Sequence, residues 1–173
     1  AVATVPQEVF LFTGTVEDNL SLHNPSADGR VVEHAAQEVR ADRFVASVNH
    51  NIQEVEGAGE IVAAEDASID TWIEPTFVEE SQYYYPKGSL LGLMLDIRIR
   101  ETTDNQHSLD DVMRALYQNH WQRGRGFATQ DLLAYIRPWF PGVDDFYTRY
   151  VNGREPLPYE VILPRGGIVA SRR

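Results

Sequence analysis

Residues 81–101 read SQYYYPKGSLLGLMLDIRIRE and include the longest apolar run of the chain, Leu90 to Leu95 with one glycine in it. Three tyrosines precede a proline, a lysine and a glycine, and apolar residues then follow almost without interruption. These apolar residues point in nearly every direction around a helix with 3.6 residues per turn. A helix that is apolar all round is normally buried on all sides. The spacing therefore predicts a central, buried helix from about Tyr84 to Glu101.

Pro86 indicates where this helix begins. Proline is tolerated in the first turn of a helix because the amide that it lacks has no intrahelical partner there. The tyrosines, Lys87 and Gly88 are therefore expected at the N-terminal end of the central helix.

Apolar periodicity predicts further helices on both sides of this one. The expected intervals are about 30–43, 42–55, 64–73, 108–120, 129–137 and 143–151. Ser108 and Thr129 are expected as N-caps, with Asp111 at capping-box spacing from Ser108. The proline-interrupted tail, residues 155–173, is expected to be extended. The predicted fold class is mainly α, a helical bundle with short extended segments at the N- and C-termini.

Composition excludes several classes of function. The chain of 173 residues carries a formal net charge of -11, which repels the phosphates of nucleic acids. It has no cysteine, so disulfides, thiol nucleophiles and thiolate metal sites are excluded. The apolar run Leu90 to Leu95 is too short to span a membrane, and the sequence at Ala1 does not look like a signal peptide. A cytoplasmic location is expected.

Four segments in the second part of the chain carry a family resemblance. They are YYYPKGSLLGLMLDIRIRE, SLDDVMRALYQ, GFATQDLLAYI and DDFYTRYVNGREPLPYEVIL, in this order. Together they resemble the C-terminal part of the catalytic unit in glycyl aminopeptidase-type zinc metallopeptidases, which are gluzincins that often carry a PDZ domain. The resemblance extends over residues 45–168. It implies a helical bundle packed beside zinc-bearing helices, with a peptide as substrate once a zinc domain completes the unit.

The same resemblance implies roles for three residues. Tyr85, Lys87 and Gly88 match a Tyr-x-Lys-Gly element in which the tyrosine donates a hydrogen bond to the oxyanion of the reacting peptide carbonyl, while the lysine and glycine support it. A neutral phenol is a suitable donor, and Gly88 would allow close approach of a substrate or another backbone. The alternative is that Tyr83, Tyr84 and Tyr85 are packing residues at a helix entry.

The zinc ligands of that family are missing from this sequence. A gluzincin needs H-E-x-x-H on one helix and a further glutamate downstream. No two of the five histidines stand four residues apart, and His34 with Glu38 would offer at most two ligands. The chain is therefore expected to hold no metal or other cofactor and to be inactive by itself, which leaves its assignment as an enzyme uncertain.

Residues 5–45, VPQEVFLFTGTVEDNLSLHNPSADGRVVEHAAQEVRADRFV, carry a second resemblance, to the Q-loop region and helical subdomain of an ABC exporter ATPase. The resemblance implies that Gln7 corresponds to the glutamine that contacts magnesium. The phosphate loop G-x-x-x-x-G-K-[ST] is absent, so nucleotide binding has little physical basis. Two segments are therefore predicted: an ABC-ATPase-like one, 1–44, with a short strand and two helices, and a metallopeptidase-like bundle, 45–173. A gene fusion, a rearrangement, an artificial chimera or a truncation would each produce this join.

Two functions remain open from the sequence. The chain is the C-terminal helical portion of a zinc metallopeptidase unit, or it is a non-catalytic remnant or interaction module of a fused gene. In the second case, exposed apolar surface is expected to drive self-association or binding of a protein partner. A weaker hypothesis has residues 1–44 docking onto a membrane transporter. Trp72, Trp121 and Trp139 are expected to be core or interface anchors.

Overall fold

The computed structural model describes residues 40–58, 62–73 and 84–168, which are mostly helical and contain no β-strand. The helices are α1 (Ala41–Gly57), α2 (Ala64–Ile73), α3 (Tyr84–Thr102), α4 (Leu109–Asn119), α5 (Thr129–Ile136), α6 (Val143–Phe146) and α7 (Tyr159–Ile162). A 3₁₀ turn, Trp121–Arg123, follows α4, a π turn, Tyr147–Val151, continues α6, and a 3₁₀ turn, Leu163–Gly166, continues α7. The mainly α class is confirmed.

Helix α3 is the centre of the bundle, as its sequence predicts. It contacts α1, α2, α4, α7 and the 3₁₀ turn after α7. Its buried residues are Lys87, Leu90, Leu91, Met94, Ile97 and Ile99. Pro86 lies in its first turn, which confirms the predicted position of the helix start.

Asp96 is the main polar connection from this central helix to α4. Its Oδ1 accepts a hydrogen bond from the amide of Leu109 at 2.8 Å, and its Oδ2 accepts one from Nε of Arg100 at 2.7 Å. The first of these bonds satisfies an amide in the first turn of α4 that has no partner within its own helix. The start of α4 is therefore fixed against the middle of α3.

The helix predicted to connect the two segments, 1–44 and 45–173, is also observed. Helix α1 covers Ala41–Gly57, close to the predicted interval 42–55, and it buries Val48 and Ile52 against the core. Helix α2 has the predicted bounds, 64–73. The predictions for the first 39 residues, including Gln7 and the pair of His34 with Glu38, lie outside the described residues.

Two N-cap predictions have different outcomes. Ser108 is the N-cap of α4, and its amide donates to Oδ2 of Asp111 at 3.0 Å, although the serine hydroxyl makes no capping hydrogen bond. The prediction that Thr129 caps the next helix is wrong by one residue, because Ala128 occupies that position. There the amide of Ala128 donates a hydrogen bond to the carboxylate of Asp131 at 2.8 Å, the half of a capping box that needs no N-cap side chain.

The prediction of an extended tail is wrong for residues 159–166, which are helical. Pro158 is the N-cap residue of α7, and Pro164 lies at the start of the 3₁₀ turn, positions where a missing amide costs little. Leu163 is completely buried in the core. A Cβ atom added at Gly166 would stand 2.8 Å from the side chain of Ile97, so glycine allows the turn to approach α3 closely.

Candidate functional site

The first turn of α3 holds all three residues predicted for the site, but it places them in different surroundings. Tyr85 is 70% exposed, whereas Lys87 is 1% exposed and Gly88 lies at the surface. Successive helical residues are about 100° apart, so side chains two positions apart point to nearly opposite sides. The helix start therefore projects the phenol of Tyr85 outward and buries the amine of Lys87.

Lys87 anchors this turn to the neighbouring helix. Its Nζ donates a hydrogen bond to the backbone carbonyl of Val62 at 2.6 Å, just before α2 begins. Burial lowers the pKa of the Lys87 amine, because removal from water disfavours the charged form. A buried amine needs such a hydrogen bond, so the contact fixes the first turn of α3 against the entry of α2.

Tyr84 and Tyr85 form a pair of phenols at the helix start. Their ring centroids are 4.2 Å apart, with the planes inclined by 31°. The hydrogen bond with Tyr85 raises the pKa of Tyr84, with burial as a smaller cause. Tyr84 therefore stays protonated at neutral pH. The first turn of α3 carries no acidic residue, so the positive end of its helix dipole is not neutralised within that turn.

Packing against the described residues does not require glycine at position 88. A Cβ atom built there would meet nothing within 4 Å. The surface beside Tyr85 is open at this position, so the prediction that Gly88 allows close approach of another group stays a prediction.

A groove of about 560 Å³ lies on the Lys87 side of this turn, and the sequence analysis missed it. It is lined by the end of α1 and by residues 155–161, with Glu56, Glu155 and Glu160 as its acidic groups. The hydroxyl of Tyr159 donates a hydrogen bond to Oε1 of Glu56 across the groove. Tyr85 is not among the lining residues. Helix α7 forms one wall of this groove. Because the tail was predicted to be extended, the groove could not be predicted from the sequence.

The described histidines lie apart from one another, and their partners can be named individually. Among the described residues, no group of three histidine, cysteine or acidic side chains could hold a metal. His107 stacks on Trp139 with ring centroids 4.3 Å apart, and Nδ1 of His120 lies 3.0 Å from the carbonyl oxygen of Gly126. These histidines therefore have packing and hydrogen-bonding partners at separate places in the bundle.

Two of the tryptophans predicted as anchors can be compared with the structure. Trp139 is half-buried and packs against the core. Trp121 is 74% exposed, so it is not a core anchor, and the alternative that it is an interface anchor stays a prediction. The reason is local: α4 ends at Asn119, and the 3₁₀ turn that follows carries Trp121 away from the face formed by Val112 and Leu116. The side chain of Trp72 lies outside the described residues.

The lowered pKa of Lys87 predicts a pH-dependent stability. The unfolded chain keeps this proton up to about pH 10.4, whereas the folded chain releases it at lower pH. Between these values the unfolded state binds more protons, so the free energy of unfolding rises with pH. Lys87→Met keeps an apolar side chain but has no amine to titrate, so this pH-dependent contribution to the free energy of unfolding is lost. Urea denaturation at pH 8 and pH 10.5 should show wild type gaining stability relative to the variant; a difference independent of pH would contradict the burial argument.

Comparisons with protein-family models, curated proteins and solved structures gave no match for this chain. Within residues 40–58, 62–73 and 84–168, no helix combines the length and the apolar character that crossing a membrane requires.

Proposed function

We propose that this chain is the C-terminal helical portion of a zinc metallopeptidase-like catalytic unit, with aminopeptidase-like substrates. In this proposal Tyr85 donates a hydrogen bond to the carbonyl oxygen of the reacting peptide, and Lys87 holds the helix start that positions it. The observation that carries the proposal is the contrast between the 70% exposure of Tyr85 and the 1% exposure of Lys87. A tyrosine that served only as a packing residue would have its ring covered by neighbours.

The role proposed for Tyr85 is to donate one hydrogen bond in the transition state. During attack on a peptide carbonyl, negative charge develops on the carbonyl oxygen, and a fixed donor aimed at that oxygen stabilises the transition state more than the ground state. The hydroxyl of a tyrosine at the positive end of a helix is such a donor. The Lys87 contact with Val62 restricts movement of the turn, which is what preorganisation of a donor requires.

The proposal assigns only part of the catalytic machinery to residues 1–173. In such a unit the two histidines of an H-E-x-x-H helix and a further glutamate would hold zinc, which would supply Lewis-acid polarisation of the carbonyl and an activated water. Since the sequence has no H-E-x-x-H, this chain is assigned the oxyanion donor and the supporting wall, and no metal-dependent step.

A fusion experiment tests the proposal. The zinc-bearing helices of a glycyl aminopeptidase-type enzyme would be fused through a flexible linker to the full chain, which gives a high effective concentration of each part. The fusion is expected to hydrolyse alanyl and glycyl p-nitroanilides in the presence of zinc. The isolated chain is expected to show no hydrolysis with or without added zinc.

The control is the zinc-bearing part alone, assayed under the same conditions. A fusion that is helical by circular dichroism but no faster than this control would contradict the proposal. Zinc-dependent turnover by the isolated chain would contradict it as well, since the chain would then hold the metal site that its sequence lacks.

A further inference from the structure

The surface formed by residues 113–127 exposes large apolar side chains on one side of α4 and the turn after it. Met113, Tyr117 and Phe127 are each more than half exposed, and Trp121 is 74% exposed. Met113 and Tyr117, four residues apart, form one stripe on α4 beside the face that buries Val112 and Leu116, and Trp121 follows in the 3₁₀ turn after the helix. Grouped exposure of large apolar side chains marks interaction sites more often than scattered exposure does.

The charge of this surface is opposite to that of the chain as a whole. Residues 112–130 contain no aspartate or glutamate but include Arg114, Arg123 and Arg125, whereas the chain has a formal net charge of -11. All three arginines are exposed. Arg114 pairs with Asp111 at the edge of the stripe, and among the described residues no ion pair involves Arg123. The 113–127 surface is thus a local basic, aromatic patch on an acidic protein.

Hydrogen bonds hold the turn in this patch in one conformation. The amides of Arg123 and Arg125 both donate to the carbonyl of His120 at 3.0 Å, and Nη2 of Arg125 donates to the carbonyl of Asn119 at 2.9 Å. Gly124 has a φ of 64°, a left-handed conformation that glycine adopts without strain. The rings of His120 and Phe127 meet edge to face, with centroids 6.1 Å apart. The patch is therefore preorganised, and little ordering would be needed on binding.

We propose that the 113–127 surface docks an acidic amphipathic segment of a partner protein, one in which glutamate or aspartate alternates with large apolar residues at helical spacing. Its apolar side chains would pack on the stripe, and its carboxylates would meet the guanidinium groups, which bind carboxylates with two parallel hydrogen bonds. A second copy of this chain fits less well, because symmetric pairing would bring the three arginines of each copy together. The proposal does not depend on the proposed peptidase role.

The test measures fluorescence anisotropy of a labelled 16-residue peptide with leucine at helical spacing and glutamate between. The peptide is expected to bind the full chain in the micromolar range, more weakly as salt is raised. A peptide with lysine in place of glutamate should bind at least about tenfold more weakly, because the arginines would repel it. Trp121→Ala is expected to weaken binding about tenfold or more, as for a central aromatic contact.

Two variants serve as controls. Arg123→Glu combined with Arg125→Glu should abolish the preference for the glutamate peptide, whereas Phe44→Ala, which removes an exposed ring on α1, should leave binding unchanged. The proposal is overturned if neither peptide binds at millimolar concentration, if both bind equally, or if single-stranded poly(U) binds more tightly than the glutamate peptide. If light scattering detects self-association and Trp121→Ala removes it, this surface binds a second copy of the chain. That result would overturn the proposal of an acidic partner segment.

Discussion

Replacing Tyr85 by phenylalanine in the fusion with the zinc-bearing helices is expected to lower kcat about 10²-fold to 10³-fold, the loss typical of removing one oxyanion donor. The ring stays in place and only the hydroxyl is lost, so the substrate ground state loses little and KM should change only slightly. Steady-state kinetics with an alanyl p-nitroanilide would measure both constants.

Tyr84→Phe is the matched control, since it removes the neighbouring phenol, whose ring centroid lies 4.2 Å away. It is expected to change kcat by only a few-fold, because the hydroxyl of Tyr85 is retained and only its hydrogen bond with Tyr84 is lost. Equal losses for the two variants would indicate a general disturbance of the helix start. No loss for Tyr85→Phe would remove this residue from the catalytic role.

The second large expected effect is a loss of stability, and it concerns the 3₁₀ turn that continues α7. Leu163→Ala is expected to lower the free energy of unfolding by about 2–5 kcal/mol, because it leaves a cavity at a completely buried position. Val161→Ala, two residues away and 59% exposed, should change it by only about 0.5 kcal/mol or less. Urea denaturation followed by circular dichroism would measure both. Similar small effects would mean that the tail does not dock on the bundle.

The central helix was predictable because several independent signals agree there. Apolar residues on every side predict burial, and Pro86 limits where the helix begins. Helix α2 was also placed correctly, with acidic residues Glu65 and Asp66 in its first turn. Where local sequence and tertiary packing favour the same structure, the sequence alone is informative.

The tail was not predictable from the same rules. Its prolines suggested an extended chain, but Pro158 and Pro164 lie at helix starts, where proline is compatible with helix. What makes residues 159–166 helical is burial of Tyr159, Ile162 and Leu163 in the core. That contact joins segments far apart in sequence, and no local pattern contains it.

The geometry around the proposed site residues was not predictable from the sequence, and their role stays a prediction. The resemblance selected Tyr85, Lys87 and Gly88, yet periodicity cannot tell which side of an all-round apolar helix stays open. The burial of Lys87 depends on the carbonyl of Val62, which reaches it from a separate segment. Trp121 shows the same limit, since tryptophan is usually well buried and only the turn after α4 explains its exposure.

The most direct measurement is a distance in a crystal structure of the fusion with a phosphonate analogue of an alanyl peptide. We predict that the hydroxyl oxygen of Tyr85 lies about 2.7–3.1 Å from a phosphonyl oxygen, the range for a donor to a developing oxyanion. A Tyr85 hydroxyl more than about 5 Å from the analogue, beyond the reach of any hydrogen bond, would contradict it.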